Sequence, residues 1–232
     1  MSLAELIQQP FASVPKLIRA AAAEHPEAIA LIQDDERVTY RDLDGWMDRI
    51  AASLQRDGLR PKDVIAICAG TSPAYAAVYL GALRAGVTVA PLAPSATAES
   101  LATMIDDASA ALLFVDEAMA EKLTGVRERI GAGWITLDGS NAGRALDDWL
   151  LPEGAGPEPV EIQPEWPFNI IYSSGTTGTP KGIVQPHRMR FGHVRRGATP
   201  LYGIGRGAVT LISTPLYSNT TLVPFFQTIC LG

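Results

Sequence analysis

The run Ser173-Ser174-Gly175-Thr176-Thr177-Gly178-Thr179-Pro180-Lys181-Gly182 concentrates hydroxyls, glycines and a lysine in one short stretch. Such a composition suits a backbone that closes around an anion. Gly175 and Gly178 reach dihedral angles closed to other residues, and successive N–H groups in such a turn form a nest for negative charge. The hydroxyls of Ser173, Ser174, Thr176, Thr177 and Thr179 add donors, and Lys181 adds a point charge suited to phosphate. The spacing excludes a Walker A loop. Pro180 stands where the glycine before the lysine would be, and Gly182 stands where the Ser/Thr magnesium ligand would be. Lys181 reads as a phosphate contact and not as a base.

A loop of this kind needs a rigid frame. Ile170-Ile171-Tyr172 reads as the end of a buried strand, and Ile183 to Gln185 resumes extended structure on the far side. Upstream, the helix Val14 to Glu24 is followed by a hairpin of Ala28 to Gln33 with Arg37 to Tyr40, then by a helix from Arg41 to Arg56 capped by Thr39. From Pro61 short apolar strands alternate with helices. The strands are Asp63 to Cys68, Val87 to Pro91, Ala111 to Val115 and Trp134 to Leu137. The helices are Ala74 to Arg84, Thr97 to Ala108 and Glu117 to Ile130. That rhythm predicts an α/β fold with layered, mainly parallel sheets flanked by helices. Residues 151–167 carry five prolines and break the rhythm. They read as a linker and a possible junction between a first α/β layer (1–150) and a phosphate-loop segment (168–232). Beyond the loop, Pro186-His187 opens a helix to about Thr199, Ala208 to Ser213 reads as a strand, and Leu222 to Leu231 as an apolar helix.

The bulk numbers narrow the function classes. A net charge of −6 argues against a nucleic-acid footprint. Cys68 and Cys230 sit in apolar runs, which reads as free thiols in a reducing compartment. No run is long and apolar enough for a membrane span, and the first residues lack the pattern of a signal peptide. The expectation is a cytoplasmic protein acting on small molecules.

The run from Ser173 to Gly182 resembles, almost letter for letter, the phosphate loop of the adenylate-forming superfamily: acyl- and aryl-CoA synthetases, peptide-synthetase adenylation domains and luciferases. Three further stretches are similar to that family in the right order. They are Val38-Thr39-Tyr40-Arg41-Asp42-Leu43, Leu83-Arg84-Ala85-Gly86-Val87-Thr88-Val89-Ala90-Pro91-Leu92 and Thr214-Pro215-Leu216-Tyr217. The resemblance implies a ligase that uses ATP, Mg2+ and coenzyme A. A carboxylic acid attacks the α-phosphate of ATP, and a thiol then takes the acyl group from the adenylate. It implies that Ser173, Ser174, Gly175, Thr176, Thr177, Gly178, Thr179 and Lys181 hold the ATP phosphates, with Thr176 helping to hold magnesium. An adenylation domain that loads a carrier protein is the alternative within the family, and a non-catalytic nucleotide-binding fragment is the alternative outside it.

Two departures qualify the resemblance. Many acyl-CoA synthetases carry histidine after the Pro-Leu-aromatic segment, whereas this chain has Ser218. Tyr217 and Ser218 are candidates for the acid pocket, with packed core the alternative for Tyr217. The chain is also less than half the family length and resembles the N-terminal part of the large domain. It lacks the later motifs for ribose, magnesium and the catalytic lysine, so this piece alone is expected not to complete adenylation. His25 reads as a solvated helix end and His187 as structural at a helix start, since a lone histidine without an orienting partner is usually not a base, and nothing pairs His193 with a nucleophile. The basic run Arg188, Arg190, Arg195 and Arg196 reads as a solvated helix face; Arg188 and Arg195 share one side, where a phosphate of coenzyme A is the alternative reading.

Overall fold

The computed structural model describes residues 1–173 and 180–232. Six of the helices begin where a short polar side chain accepts an orphan backbone N–H. Helix α1 (Leu3–Gln8) starts on a Ser2/Glu5 capping box, a short element not foreseen from its periodicity. Helix α2 (Val14–Glu24) precedes a hairpin of β1 (Ile29–Gln33) and β2 (Glu36–Thr39). Thr39 and Asp42 then cap α3 (Tyr40–Arg56) reciprocally.

The alternating part follows as β3 (Val64–Cys68), α4 (Pro73–Arg84), β4 (Thr88–Pro91), α5 (Ala98–Asp107), β5 (Ala110–Val115), α6 (Glu117–Lys122) and β6 (Gly133–Thr136). The short pieces β7 (Arg144–Ala145) and α7 (Leu146–Trp149) come next. After them the chain runs without helix or strand through the proline-rich stretch. It returns as β8 (Pro167–Ser173) and β9 (Lys181–Pro186), and ends with α8 (His187–Gly197) and α9 (Asn219–Leu231).

The main sheet has seven strands in the order β7-β6-β5-β3-β4-β8-β9. Every pairing is parallel except β8 with β9. Strand β8, which follows the proline-rich stretch, lies parallel to β4, so the residues on both sides of that stretch share this sheet. Successive side chains of a strand point to opposite faces, and here both faces are buried. Ile65 and Ile67 of β3 join the larger core with α2, α3, α4, α8 and α9, while Ala66 and Cys68 join a smaller core under α5 and α6. Gly81 allows α3 and α4 their closest approach, because a Cβ there would lie 2.6 Å from Cβ of Ile50.

Two expected elements take another form. The helix expected from Glu117 to Ile130 stops at Lys122 and tightens into a 3-10 turn at Thr124–Arg129. Thr124 and Gly125 are poor helix formers, and the Thr124 hydroxyl bonds back to the carbonyl of Ala120 at 3.2 Å. The strand expected at Ala208 to Ser213 has the right alternation but no ladder. Val209 and Leu211 are 89% and 87% exposed, and their neighbours are partly covered. No strand pairs with it among the described residues, and a strand exists only where its backbone groups find a partner.

Candidate functional site

The antiparallel pair β8/β9 positions the loop. Its register pairs Tyr172 with Gly182 and Ser173 with Lys181, so the loop between them springs from a closed ladder. Because β8 runs parallel to β4, Ser173 lies at the carboxyl edge of the parallel strands, where open α/β sheets take their ligands. Ser173 and Lys181 are both exposed there. The candidates Ser174, Gly175, Thr176, Thr177, Gly178 and Thr179 lie outside the described residues.

Two contacts hold this hairpin. The Tyr172 hydroxyl donates to Oδ2 of Asp107 at 2.5 Å and lies 3.1 Å from the carbonyl of Met104, tying β8 to α5. Burial, reinforced by that carboxylate, raises the phenol pKa and keeps the proton on the oxygen. Gly182 is required by close approach: a Cβ there would lie 2.9 Å from Cγ2 of Ile170 and 3.2 Å from Cζ of Tyr172.

The second candidate group sits at the start of α9. Ser218 is its N-cap, with Oγ accepting from the Thr220 N–H at 3.3 Å. Tyr217 is half-buried, and the N–H of Leu216 before it points to Oγ1 of Thr71 at 3.4 Å. Thr71 lies just past the carboxyl end of β3, so Tyr217 and the phosphate hairpin both belong to the carboxyl edge of the sheet. A largely apolar cleft of about 660 Å3 opens beside this segment, lined by Leu216, Phe225 and Ile229 against β1. Neither Tyr217 nor Ser218 lines it.

The basic run on α8 divides. Arg188 is exposed and paired with Glu165 at 2.7 Å. Arg195 lies over the Phe191 ring at 5.8 Å. Arg190 does not belong to a solvated face, because it is completely buried. The helix periodicity held the signal: His187, Arg190, Phe191 and Val194 recur at helical spacing, and all four are buried. Sequence reasoning also passed over Asn169 of β8 and Gln185 of β9, which face each other across the ladder and are both buried.

His187 opens α8 against the edge of Phe168, with ring centroids 4.9 Å apart. Its two ring nitrogens have no hydrogen-bond partner among the described residues. Burial pushes its pKa down to about 4 from an ordinary value near 6.5. Between those values the unfolded chain binds a proton that the folded one refuses. Stability contributed by the neutral ring is therefore complete above pH ~6.5 and is lost as pH falls to ~4, by about 3 kcal/mol in all. Urea denaturation across that range is expected to show this slope in the wild type and a flatter one in His187→Phe.

The described residues contain no group of three or more His, Cys, Asp or Glu side chains placed to hold an ion. No helix among them is long and apolar enough to cross a membrane.

Comparison with known proteins bears on the same residues. The family described as AMP-binding enzyme matches residues 18–232. Phosphinothricin tripeptide synthetase PhsB of Streptomyces viridochromogenes is 30% identical over 223 residues, which is 95% of this chain and 18% of the relative. A dimodular nonribosomal peptide synthase of Bacillus subtilis is 30% identical over 182 residues, covering 77% of this chain and 7% of the relative. Among solved structures, a putative long-chain-fatty-acid CoA ligase from Rhodopseudomonas palustris superposes with a TM-score of 0.87 at 20% identity, over 95% of this chain and 56% of that one. The chain thus spans about half of a structural neighbour and a small part of its curated relatives. The loop motif, the sheet that carries it and the match across nearly all of the sequence agree, and the chain belongs to the AMP-binding enzyme family of adenylate-forming enzymes.

Proposed function

We propose that this chain is the N-terminal part of the large domain of an enzyme that joins a carboxylic acid to a thiol through an acyl-adenylate. The observation that carries this reading is the exposed pair Ser173 and Lys181 at the carboxyl edge of the sheet, flanking the loop whose sequence resembles the family's phosphate loop. In it Lys181 contacts the ATP phosphates as a cation, and Ser173 with the loop residues Ser174 to Thr179 supplies hydrogen-bond donors. Preorganised donors and positive charge of this kind offset the negative charge that grows on departing pyrophosphate. Thr176 would help to hold magnesium, which would supply positive charge to the phosphates. Tyr217 and Ser218 face the carboxylic acid.

Coenzyme A is the acceptor we favour, in keeping with the CoA-ligase fold neighbour. The carrier-protein alternative is favoured by a different observation, the 30% identity to each of two peptide synthetases. Acid-dependent ATP–pyrophosphate exchange by the full-length polypeptide, over fatty, aryl and amino acids, tests the adenylation step. Exchange with one class is expected. Exchange with none, despite nucleotide binding, would replace this reading with a nucleotide-binding protein. Thioester formation with free coenzyme A against a carrier protein then separates the two acceptors.

A further inference from the structure

Arg190 of α8 is 0% exposed and has no carboxylate partner among the described residues. Its Nη2 donates to Oε1 of Gln185 on β9 and, at 2.5 Å, to Oδ1 of Asn219, the first residue of α9. The guanidinium carbon lies 5.7 Å from the ring centre of Phe168 and 5.9 Å from that of Phe226. Nε and Nη1 have no hydrogen-bond partner among the described residues. A buried charge held only by neutral acceptors and rings is expensive, and an apolar side chain of similar volume packs there at lower cost. What an apolar residue lacks is a donor nitrogen, here Nη2 alone, that holds acceptors on two elements at once.

Those two acceptors are significant by position. Gln185 lies on the strand that begins at Lys181, and Asn219 directly follows Ser218. Strand β9 is independently held by its ladder to β8. The first turn of α9 has Arg190 as its side-chain bond to β9.

We propose that Arg190 is a positioning residue that locks the start of α9 to β9, and so sets the acid pocket at a fixed distance from the ATP phosphates. This rests on the functional reading above, in which Lys181 serves the phosphates and Ser218 the acid. The body of α9 is held by its own packing, with the ring centres of Phe226 and Phe168 of β8 5.1 Å apart, so the bond to Asn219 bears on the first turn. Loss of the two Nη2 bonds frees that turn on the acid side, while β9 keeps its ladder to β8.

The test compares Arg190→Met and Arg190→Lys in the full-length polypeptide. Arg190→Met is expected to raise the acid KM in pyrophosphate exchange by about tenfold or more, since small misplacements are costly in preorganised sites, with a much smaller change in ATP KM. Arg190→Lys retains the charge, but its ammonium stands one bond short of the Nη2 position, and it is expected to behave like the methionine variant. Hydrogen exchange supplies a readout independent of activity. Amides of residues 219–222 should exchange faster in Arg190→Met, while those of the β8/β9 ladder should not change. Should Arg190→Met fail to fold, Asn219→Ala leaves the guanidinium on Gln185 and is expected to reproduce the rise in acid KM. The proposal is overturned if either variant leaves both acid KM and exchange at 219–222 at the wild-type level. It is also overturned if Arg190→Lys keeps the wild-type acid KM while residues 219–222 exchange faster, which would show that the acid binds normally without the bond. A wild-type protein with no exchange for any acid would defeat the functional reading, and the amide-exchange comparison would still decide the role of Arg190.

Discussion

Lys181→Ala in the full-length polypeptide is expected to lower acid-dependent ATP–pyrophosphate exchange by about 100-fold or more, the usual cost of removing one preorganised group that stabilises charge in the transition state. The same substitution should leave stability almost unchanged. Lys181 is exposed at the start of β9 and forms no ion pair among the described residues, and surface substitutions of that kind usually shift stability by less than about 0.5 kcal/mol. Loss of activity with an unchanged melting curve is therefore the signature. Exchange within threefold of the wild type would remove Lys181 from the phosphate site, and an equal loss of stability would move it to a structural role.

Arg84→Ala is expected to show the opposite pattern, a large loss of stability with activity changing only as the folded fraction does. Arg84 on α4 is 8% exposed. Its Nη2 meets Oδ1 of Asp44 at 2.5 Å, and its Nη1 meets Oδ1 of Asp48 at 2.9 Å and the carbonyl of Asp44 at 2.8 Å. Burial pulls the guanidinium pKa down, and the two aspartates oppose that pull. The half-exposed Arg19 shares the same two carboxylates at 3.1 and 2.5 Å. Removing Arg84 leaves two carboxylates close together beneath α4 with only Arg19 to answer them. Breaking such a pair costs about 3–5 kcal/mol, or about 10 °C of melting temperature for a domain of this size. Glu165→Ala is the control. Its bridge to Arg188 is 2.7 Å long, but the two side chains are 69% and 62% exposed, and such pairs contribute close to nothing. A urea midpoint that moves equally for both variants would refute the distinction.

Arg84 also shows how sequence and structure divide the information. Within the second family-like stretch it reads as part of a motif, and only the packing of α4 on α3 reveals it as the centre of an ion network. The same holds for Arg190. In sequence it stands in a basic run and reads as solvated, because charge runs usually are; its burial depends on α9 closing over that face of α8.

What the sequence determined by itself is local or strongly patterned. The phosphate-loop motif, the cap at Thr39 and the alternation of short apolar strands with helices all rest on patterns within a few residues. They were therefore legible before any fold was known. The α/β class followed from that alternation. Strand order and the failure of Ala208 to Ser213 to form a ladder were decided by tertiary structure alone. Each depends on which distant backbone edge is available to accept hydrogen bonds, and a one-dimensional pattern carries no record of a partner that lies far away in the chain.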